Sequence, residues 1–255
     1  MTRAAVLFHI PHSSIYFPFR DGYLRPDLVD AEVKKLTDWK TESIFAVEGV
    51  VRLVAEFSRV FCDVERFVPD ESEPMASKGM GFYYTHTDDG RVFRQEGEWK
   101  ERVLREFYEP HHRRFEELVN GALETEGSCL IMDCHSFSDM PFLRDPDQSQ
   151  ERPDDCIGTQ GMHTPRWMRE TAEQVCSRSG FSVRFDSPYA GSIVPLRFFN
   201  RDPRVMSIMI ELNRKLYLEG STADPSRVLS LRGMVEELTD ALVKNAGHFL
   251  KAAAL

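Results

Sequence analysis

Residues 129–136 read Cys-Leu-Ile-Met-Asp-Cys-His-Ser, an apolar run that ends on an acid and a histidine. A short apolar run without helical periodicity is typical of a strand buried on both faces. In open α/β sheets the ligand crevice lies at the carboxyl ends of the strands. The segment therefore predicts an α/β fold in which Asp133 and His135 lie at the functional edge of the sheet.

A second run of this kind opens the chain, where Ala-Ala-Val-Leu-Phe-His-Ile (4–10) leads into Pro11 and His12. Proline restricts the backbone directly before His12 and so helps to hold the imidazole in place. A lone histidine in such a position is more often an ordinary packed residue. Two buried strands that each deliver a histidine could place two imidazoles around one metal ion, which favours a metal site built from His12 and His135.

The composition is that of an ordinary globular enzyme and limits the partners of the chain. Its 255 residues suffice for one large domain, predicted to span 1–255, and the net charge of −9 argues against nucleic acid or an anionic membrane as a partner. A small anionic substrate stays compatible with this charge, because a local arginine cluster can override it. Five cysteines without a CxxC pair indicate reduced thiols and a cytoplasmic protein. No signal peptide or membrane span is predicted.

Apolar runs and helical patterns alternate and predict a single α/β domain with a mixed, mostly parallel sheet flanked by helices. Residues 81–94 are predicted to form a hairpin that turns at Asp89-Gly90. Residues 139–161 are polar and are predicted to form a long loop, more often a functional lid than a linker. The predicted strands are 4–10, 51–56, 59–63, 129–134, 182–186 and 205–212, and the predicted helices are 27–36, 41–48, 97–125, 164–178 and 225–246.

A third metal ligand is needed, since catalytic zinc sites commonly use two histidines and one carboxylate and leave a position for water. The carboxylates nearest to His12 are Asp38 and Glu42, and either could serve, with Asp38 as the first choice. Asp133 and His135 point to the same side of their strand, so Asp133 could accept the other ring N–H of that histidine. The predicted cofactor is zinc or another divalent metal.

The segment 58–67 carries the candidate substrate-binding groups Arg59, Glu65 and Arg66, and Asp63 is predicted to support the site from outside the set of metal ligands, as Asp133 does. Arginine presents a planar fork suited to a carboxylate, so Arg66, helped by Arg59, is predicted to anchor a substrate acid. The alternative is a structural ion pair of Arg66 with Asp63 or Glu65.

Glu211 interrupts a buried-strand pattern that covers residues 207–212. An unpaired carboxylate is costly to bury, but beside a metal it would have a purpose as the base that takes a proton from water. The turn Pro-Tyr-Ala-Gly-Ser (188–192) supplies Tyr189 and Ser192, which could line the pocket, although a tyrosine in an apolar turn is more often a packing residue.

Taken together, these motifs resemble the N-formylglutamate amidohydrolase family, which is distantly similar to zinc carboxypeptidases and aspartoacylase. The resemblance covers nearly the whole chain and implies a phosphorylase/hydrolase-like α/β fold. It also implies His12 and His135 as zinc ligands, Arg66 as the carboxylate anchor and Glu211 as the base. The motifs are Pro-His-Ser (11–13), Ser-Arg-x-x-x-Asp-x-x-Arg (58–66), Asp-Cys-His-Ser (133–136), Pro-Tyr-Ala-Gly-Ser (188–192) and Ile-Glu-Leu-Asn-Arg (210–214).

The activity implied by this resemblance is hydrolysis of the amide of an N-formyl or N-acyl amino acid such as N-formylglutamate, within amino-acid and histidine catabolism. Two residues depart from the family pattern: Ser14 stands where glycine is usual, and Glu65 stands where asparagine is usual. An ionised Glu65 would repel a substrate acid or partly neutralise Arg66. The alternatives are a zinc peptidase acting on small peptides, a non-catalytic binding or regulatory protein on a degenerate hydrolase scaffold, and a structural metal site.

Overall fold

A mixed sheet of six strands is the centre of the part of the chain that the structure describes. The computed structural model describes the backbone of residues 1–253, so positions 254 and 255 of the predicted domain lie outside the described residues. The strands are β1 (Val6–Ile10), β2 (Val51–Val54), β3 (Cys129–Phe137), β4 (Asp155–Thr159), β5 (Val183–Phe185) and β6 (Val205–Asn213). Their order in the sheet is β2-β1-β3-β6-β4-β5, in which β4 runs antiparallel to β6 and the other neighbours are parallel.

Helices cover both faces of this sheet, which confirms the predicted mixed, mostly parallel α/β fold. A π-helical turn (Leu104–Tyr108) joins the helices Glu98–Val103 and Glu109–Glu126, and a small antiparallel pair of strands, β7 (Leu218–Glu219) and β8 (Thr222–Ala223), precedes the last helix. No helix among the described residues combines the length and apolarity needed to cross a membrane. The helices are α1 (Pro26–Leu36), α2 (Thr41–Ile44), α3 (Glu98–Val103), α4 (Glu109–Glu126), α5 (Arg166–Arg178) and α6 (Pro225–Ala253).

The two faces of the sheet are different, and the difference positions the site. Phe8, Met132 and Ile210 point to one face and join the large apolar core under α5 and α6. On the other face, Phe115 of α4 packs against Ile131 in a smaller apolar cluster. Because side chains alternate along a strand, the residues that follow Ile131 on this second face are polar. These residues are Asp133 and His135, on the face of the sheet against which α4 packs.

Four predicted elements differ from the structure. Residues 59–63 are a turn and not a strand, since the amides of Phe61 and Cys62 both donate to the carbonyl of Ser58. Residues 155–159, predicted as loop, form β4, in which a side chain at Gly158 would collide with the carbonyl of Gly191. The helix predicted over 41–48 ends at Ile44. The hairpin turn at Asp89-Gly90 is present, but the strand pairing beside it is reduced to one bridge.

Asp155 leads to a first prediction, on stability. This side chain is fully buried, its Oδ1 has no hydrogen-bond partner, and burial raises its pKa from 3.8 to about 7. Since the raised pKa belongs to the folded state, wild-type stability falls as pH rises from about 4 to 7, by at most about 4 kcal/mol. We expect the melting temperature of Asp155→Asn, measured relative to wild type, to increase between pH 5 and pH 8. The exposed control Asp30→Asn should show no such trend, and a constant difference for Asp155→Asn would contradict the assignment.

Candidate metal centre and active site

Three buried side chains from separate parts of the chain converge at the carboxyl edge of the sheet. His12 lies two residues after β1, Asp38 lies between α1 and α2, and His135 lies inside β3 and not beyond its end as predicted. The ring centroids of the two histidines are 5.0 Å apart. Asp38 Oδ2 is 3.2 Å from His135 Nδ1 and 3.7 Å from His12 Nδ1. One nitrogen or oxygen from each residue can therefore face a common point.

Backbone and arginine contacts fix Asp38 in this position. The amide of Asp38 donates to the carbonyl of His12 at 2.9 Å, which ties the end of α1 to the end of β1. The guanidinium of Arg214 donates to Asp38 Oδ1 at 2.8 Å and to the carbonyl of Ser136 at 2.9 Å. Oδ2 is thereby left to face the histidines. The alternative ligand Glu42 is exposed on α2, so the structure does not bring it to this cluster.

A second layer of carboxylates holds the other ring nitrogens. His12 Nε2 is 2.8 Å from Asp63 Oδ1, and His135 Nε2 is 3.0 Å from Asp133 Oδ1. Carboxylates in these positions orient an imidazole and fix its tautomer, which leaves the opposite nitrogen as a lone-pair donor. The contact of Asp133 with His135 is the one that strand parity predicts, whereas the contact of Asp63 with His12 joins parts of the chain 51 residues apart.

The donor set fits a divalent metal. His12 Nδ1 is buried and has no hydrogen-bond partner, which is costly for a polar atom unless a ligand satisfies it. Burial alone would raise the pKa of Asp38, but its contacts with His12 and His135 and the charge of Arg214 hold that pKa well below its usual range. Asp38 is thus an anion facing two imidazole nitrogens. Two nitrogens and one carboxylate oxygen are the ligands of many catalytic zinc sites.

Glu211 lies directly beside this cluster. It pairs in register with His135 across the parallel strands β3 and β6, so both side chains leave the same face of the sheet. The carboxyl group is buried and Oε2 has no hydrogen-bond partner. Burial, reinforced by the charge of Asp38 and opposed by His135, raises the pKa of Glu211 to about 8. A carboxyl group of this kind can take up and release a proton near neutral pH.

Two arginines surround the outer carboxylate Asp63. Arg59 donates to Asp63 Oδ2 at 2.9 Å, and Tyr84 donates its hydroxyl hydrogen to the same oxygen at 2.6 Å. Arg66 is held less closely: its Nε is 3.5 Å from Asp63 and a terminal nitrogen is 3.5 Å from Glu73. The Arg66 Nε is also buried without a hydrogen-bond partner. Arg66 is therefore the guanidinium with spare N–H donors, whereas Arg59 forms the ion pair with Asp63.

Glu65 does not neutralise Arg66, which corrects one expectation from the sequence. Its Oε1 lies 2.9 Å from Nδ1 of His9, a buried histidine of β1, whereas the acidic partners of Arg66 are Asp63 and Glu73. His9 and Arg214 are functional-site residues to which no role was assigned from the sequence. The alternation of side chains along β1 could have identified His9, because it places His9 on the same face of the sheet as the site residues of β3 and β6. No pattern in the sequence around Arg214 or Asp38 predicts their contact.

Tyr189 and Ser192 occupy different environments. The Tyr189 hydroxyl donates to Asp145 at 2.9 Å and accepts from Arg152 at 3.1 Å, so it is tied to the long loop that precedes β4. The Ser192 hydroxyl is 2.6 Å from that of Ser207. Ser207 precedes Glu211 by four residues on β6, about 13 Å at the usual strand rise. The structure therefore does not bring Ser192 to the carboxyl group of Glu211.

The fold and the site together define an α/β protein with a buried candidate metal centre at the edge of its sheet. A family model described as FGase, N-formylglutamate amidohydrolase, matches residues 4–218. The chain belongs to the N-formylglutamate amidohydrolase family, as its motifs predict. A curated relative is the N-formylglutamate deformylase of Pseudomonas aeruginosa, 26% identical over 257 residues that cover 94% of this chain and 93% of the relative.

Two solved structures share the fold. The N-formylglutamate amidohydrolase of Ralstonia eutropha JMP134 has a TM-score of 0.82 at 19% identity, with 94% of this chain and 95% of the other covered. A gene product of Agrobacterium tumefaciens has a TM-score of 0.67 at 18% identity, with 96% and 94% covered. At these identities the likeness concerns the fold.

Proposed function

We propose that this protein is a zinc-dependent amidohydrolase that cleaves the amide of an N-formyl or N-acyl amino acid, with N-formylglutamate as the first candidate substrate. The observation that carries the proposal is the pair of buried, unpartnered atoms His12 Nδ1 and Glu211 Oε2 at one edge of the sheet. The family and the name of the Pseudomonas aeruginosa relative support the substrate.

His12, Asp38 and His135 would hold the metal, with Asp63 and Asp133 orienting the two imidazoles. When bound, zinc supplies Lewis acidity at the scissile carbonyl and activates water for attack. Glu211 accepts the proton that this water loses, on Oε2. It then delivers the proton to the departing nitrogen, so that the products are a carboxylic acid, formic acid for a formyl substrate, and a free amino acid.

The substrate's acid group would bind at the guanidinium side of the site. Arg66 has spare donors, and Arg59 lies beside it in contact with Asp63. A charge-assisted contact of this kind fixes the amide in place before reaction, which converts binding energy into orientation. Tyr189 would border the pocket from the side of the long loop.

The decisive experiment combines metal analysis with product release. Purified protein is assayed for formate from N-formyl-glutamate, for acid from other acyl amino acids, and for amino acids from dipeptides. We expect formate release and at least one zinc per chain. Dipeptide cleavage without formate release would indicate the peptidase alternative, and metal without any turnover would indicate a binding protein.

The cellular setting follows from the same proposal. The five cysteines are free and buried, which supports a reducing, cytoplasmic location. An enzyme of this activity would act in amino-acid degradation, histidine catabolism included, as one domain that spans residues 1–255.

A second prediction concerns the substrate anchor. We expect Arg66→Ala to raise KM for acidic acyl amino acids about 10- to 100-fold, because a charge-assisted contact contributes roughly 1.5–3 kcal/mol. The zinc content should stay unchanged, since Arg66 contacts the outer carboxylate and none of the three proposed ligands. The exposed control Arg91→Ala should match wild type. An unchanged KM in Arg66→Ala would place the anchor on another residue.

A further inference from the structure

A second cluster of buried ligand-type side chains lies behind the first. His9 is fully buried on β1 and pairs in register with Asp133 of the neighbouring β3. Its Nδ1 lies 3.2 Å from Asp133 Oδ1 and 2.9 Å from Glu65 Oε1. The three ligand atoms, one nitrogen and two carboxylate oxygens, lie within 4.8 Å of one another.

The surroundings of His9 orient its ring. The ring stacks on Phe115 with centroids 4.9 Å apart and planes 4° apart. On the far side, His9 Nε2 is 3.0 Å from Nε2 of His111, so one of these nitrogens must donate to the other. Burial is the largest cause that lowers the pKa of His111 well below 6.5, so its Nε2 can accept a hydrogen bond from His9. When His9 donates through Nε2, the neutral ring presents its Nδ1 lone pair to the two carboxylates.

A single proton does not satisfy all three of these acceptor atoms. Burial lowers the pKa of His9, and its contacts with Asp133 and Glu65 outweigh burial and raise that pKa to about 9. A proton on Nδ1, however, points at one oxygen only. Asp133 makes a hydrogen bond of acceptable geometry, and Glu65 Oε1 remains buried without one. An unsatisfied buried carboxylate oxygen is costly, whereas a divalent ion can contact all three atoms at once.

We propose that His9, Glu65 and Asp133 bind a second divalent cation, separate from the ion at His12, Asp38 and His135. A mixed nitrogen and oxygen donor set suits zinc or manganese. The side chain of Glu65 is 18% exposed, so the cluster borders solvent on the side of Glu65, while His9 and Asp133 are buried. Asp133 Oδ1 also contacts His135 Nε2, so the second cation acts on the first site through the carboxylate that orients this ligand.

This site goes beyond the proposed function, and ion counting tests it. Metal-depleted full-length protein is titrated with Zn²⁺ and, separately, Mn²⁺ by calorimetry, and bound ions are counted by elemental analysis. We expect two ions per chain in wild type and one in Glu65→Gln, with the same result for His9→Gln as an independent variant. The matched control is Glu73→Gln, which removes a nearby buried carboxylate that contacts Arg66, and it should keep two ions.

Either of two results overturns the site. A single ion per wild-type chain with both metals means that a proton on His9 fills the position, and this result needs no variant to fold. Two ions in folded Glu65→Gln and His9→Gln mean that the second ion binds elsewhere.

Discussion

Replacement of Glu211 by glutamine is expected to lower kcat by about 10²- to 10⁴-fold, the range that positioned proton transfer contributes, while the metal content stays at the wild-type value. The amide has nearly the shape of the carboxyl group, so it fits the same buried position on β6. It cannot accept the proton that water loses. The proposed metal ligands are untouched, because Glu211 neighbours His135 across the sheet without belonging to the three-residue cluster.

The control for this variant is another buried acid. Glu32 is buried on α1, where its carboxylate accepts the amide of Asp88, a contact that glutamine can also make. Glu32→Gln should therefore turn over at the wild-type rate. Steady-state kinetics with formate detection measure both variants. Near-normal turnover in Glu211→Gln with full metal content would show that another group is the base.

The pH profile gives a second measure of the same residue. Burial raises the pKa of Glu211, and a base must be deprotonated to act, so wild-type kcat/KM should rise with pH as Glu211 ionises. In Glu211→Gln this rise should disappear from the residual activity. The comparison separates the base from a residue that only shapes the pocket, because loss of shape would lower the rate without removing the titration.

The strands that carry the site could be predicted because their sequences are apolar on both faces. The runs at 4–10, 129–134 and 205–212 became β1, β3 and β6 with small changes of boundary. Within these runs the polar residues share one parity, with Asp133 and His135 on the same face of β3 and Glu211 paired with His135 on β6. A period of two inside a buried strand therefore predicts which polar residues meet.

Contacts between distant loops could not be predicted in this way. The choice of Asp38 over Glu42 depends on a hydrogen bond to His12 and on Arg214, which lies 176 residues away. The apolar residues at 59–63 resemble a strand, but they turn and bury their side chains against other clusters. β4 was missed because it contributes few apolar residues and depends on β6 for its place in the sheet.

Removal of a proposed metal ligand should have the other large effect. We expect His12→Gln to bind one metal ion fewer than wild type and to lose turnover to below about 10⁻³ of the wild-type rate, since Lewis acidity and water activation leave with the ion. His12 supplies the unpartnered Nδ1, and glutamine cannot hold an oxygen or nitrogen in that position while also meeting Asp63. Ion counting and formate release measure the two effects on the same sample.

A variant with a smaller expected effect on metal affinity tests the same assignment. Asp63→Asn keeps His12 but removes the negative charge that orients its ring, and such outer groups typically contribute 10- to 100-fold in metal affinity. Turnover in Asp63→Asn should therefore be recovered by added Zn²⁺, whereas turnover in His12→Gln should not. His86→Gln, which alters a histidine outside the cluster, controls for the loss of an imidazole.

The ion count must be read as a difference from wild type, because a second ion at His9, Glu65 and Asp133 would remain in His12→Gln. The two sites are distinguished by whether a variant loses a bound ion and turnover together. Loss of one ion with loss of turnover in His12→Gln assigns the catalytic ion to the cluster of His12, Asp38 and His135. An unchanged ion count in folded His12→Gln, with turnover retained, would show that these two imidazoles meet at the sheet edge only to pack, and the zinc-dependent mechanism would have to be abandoned.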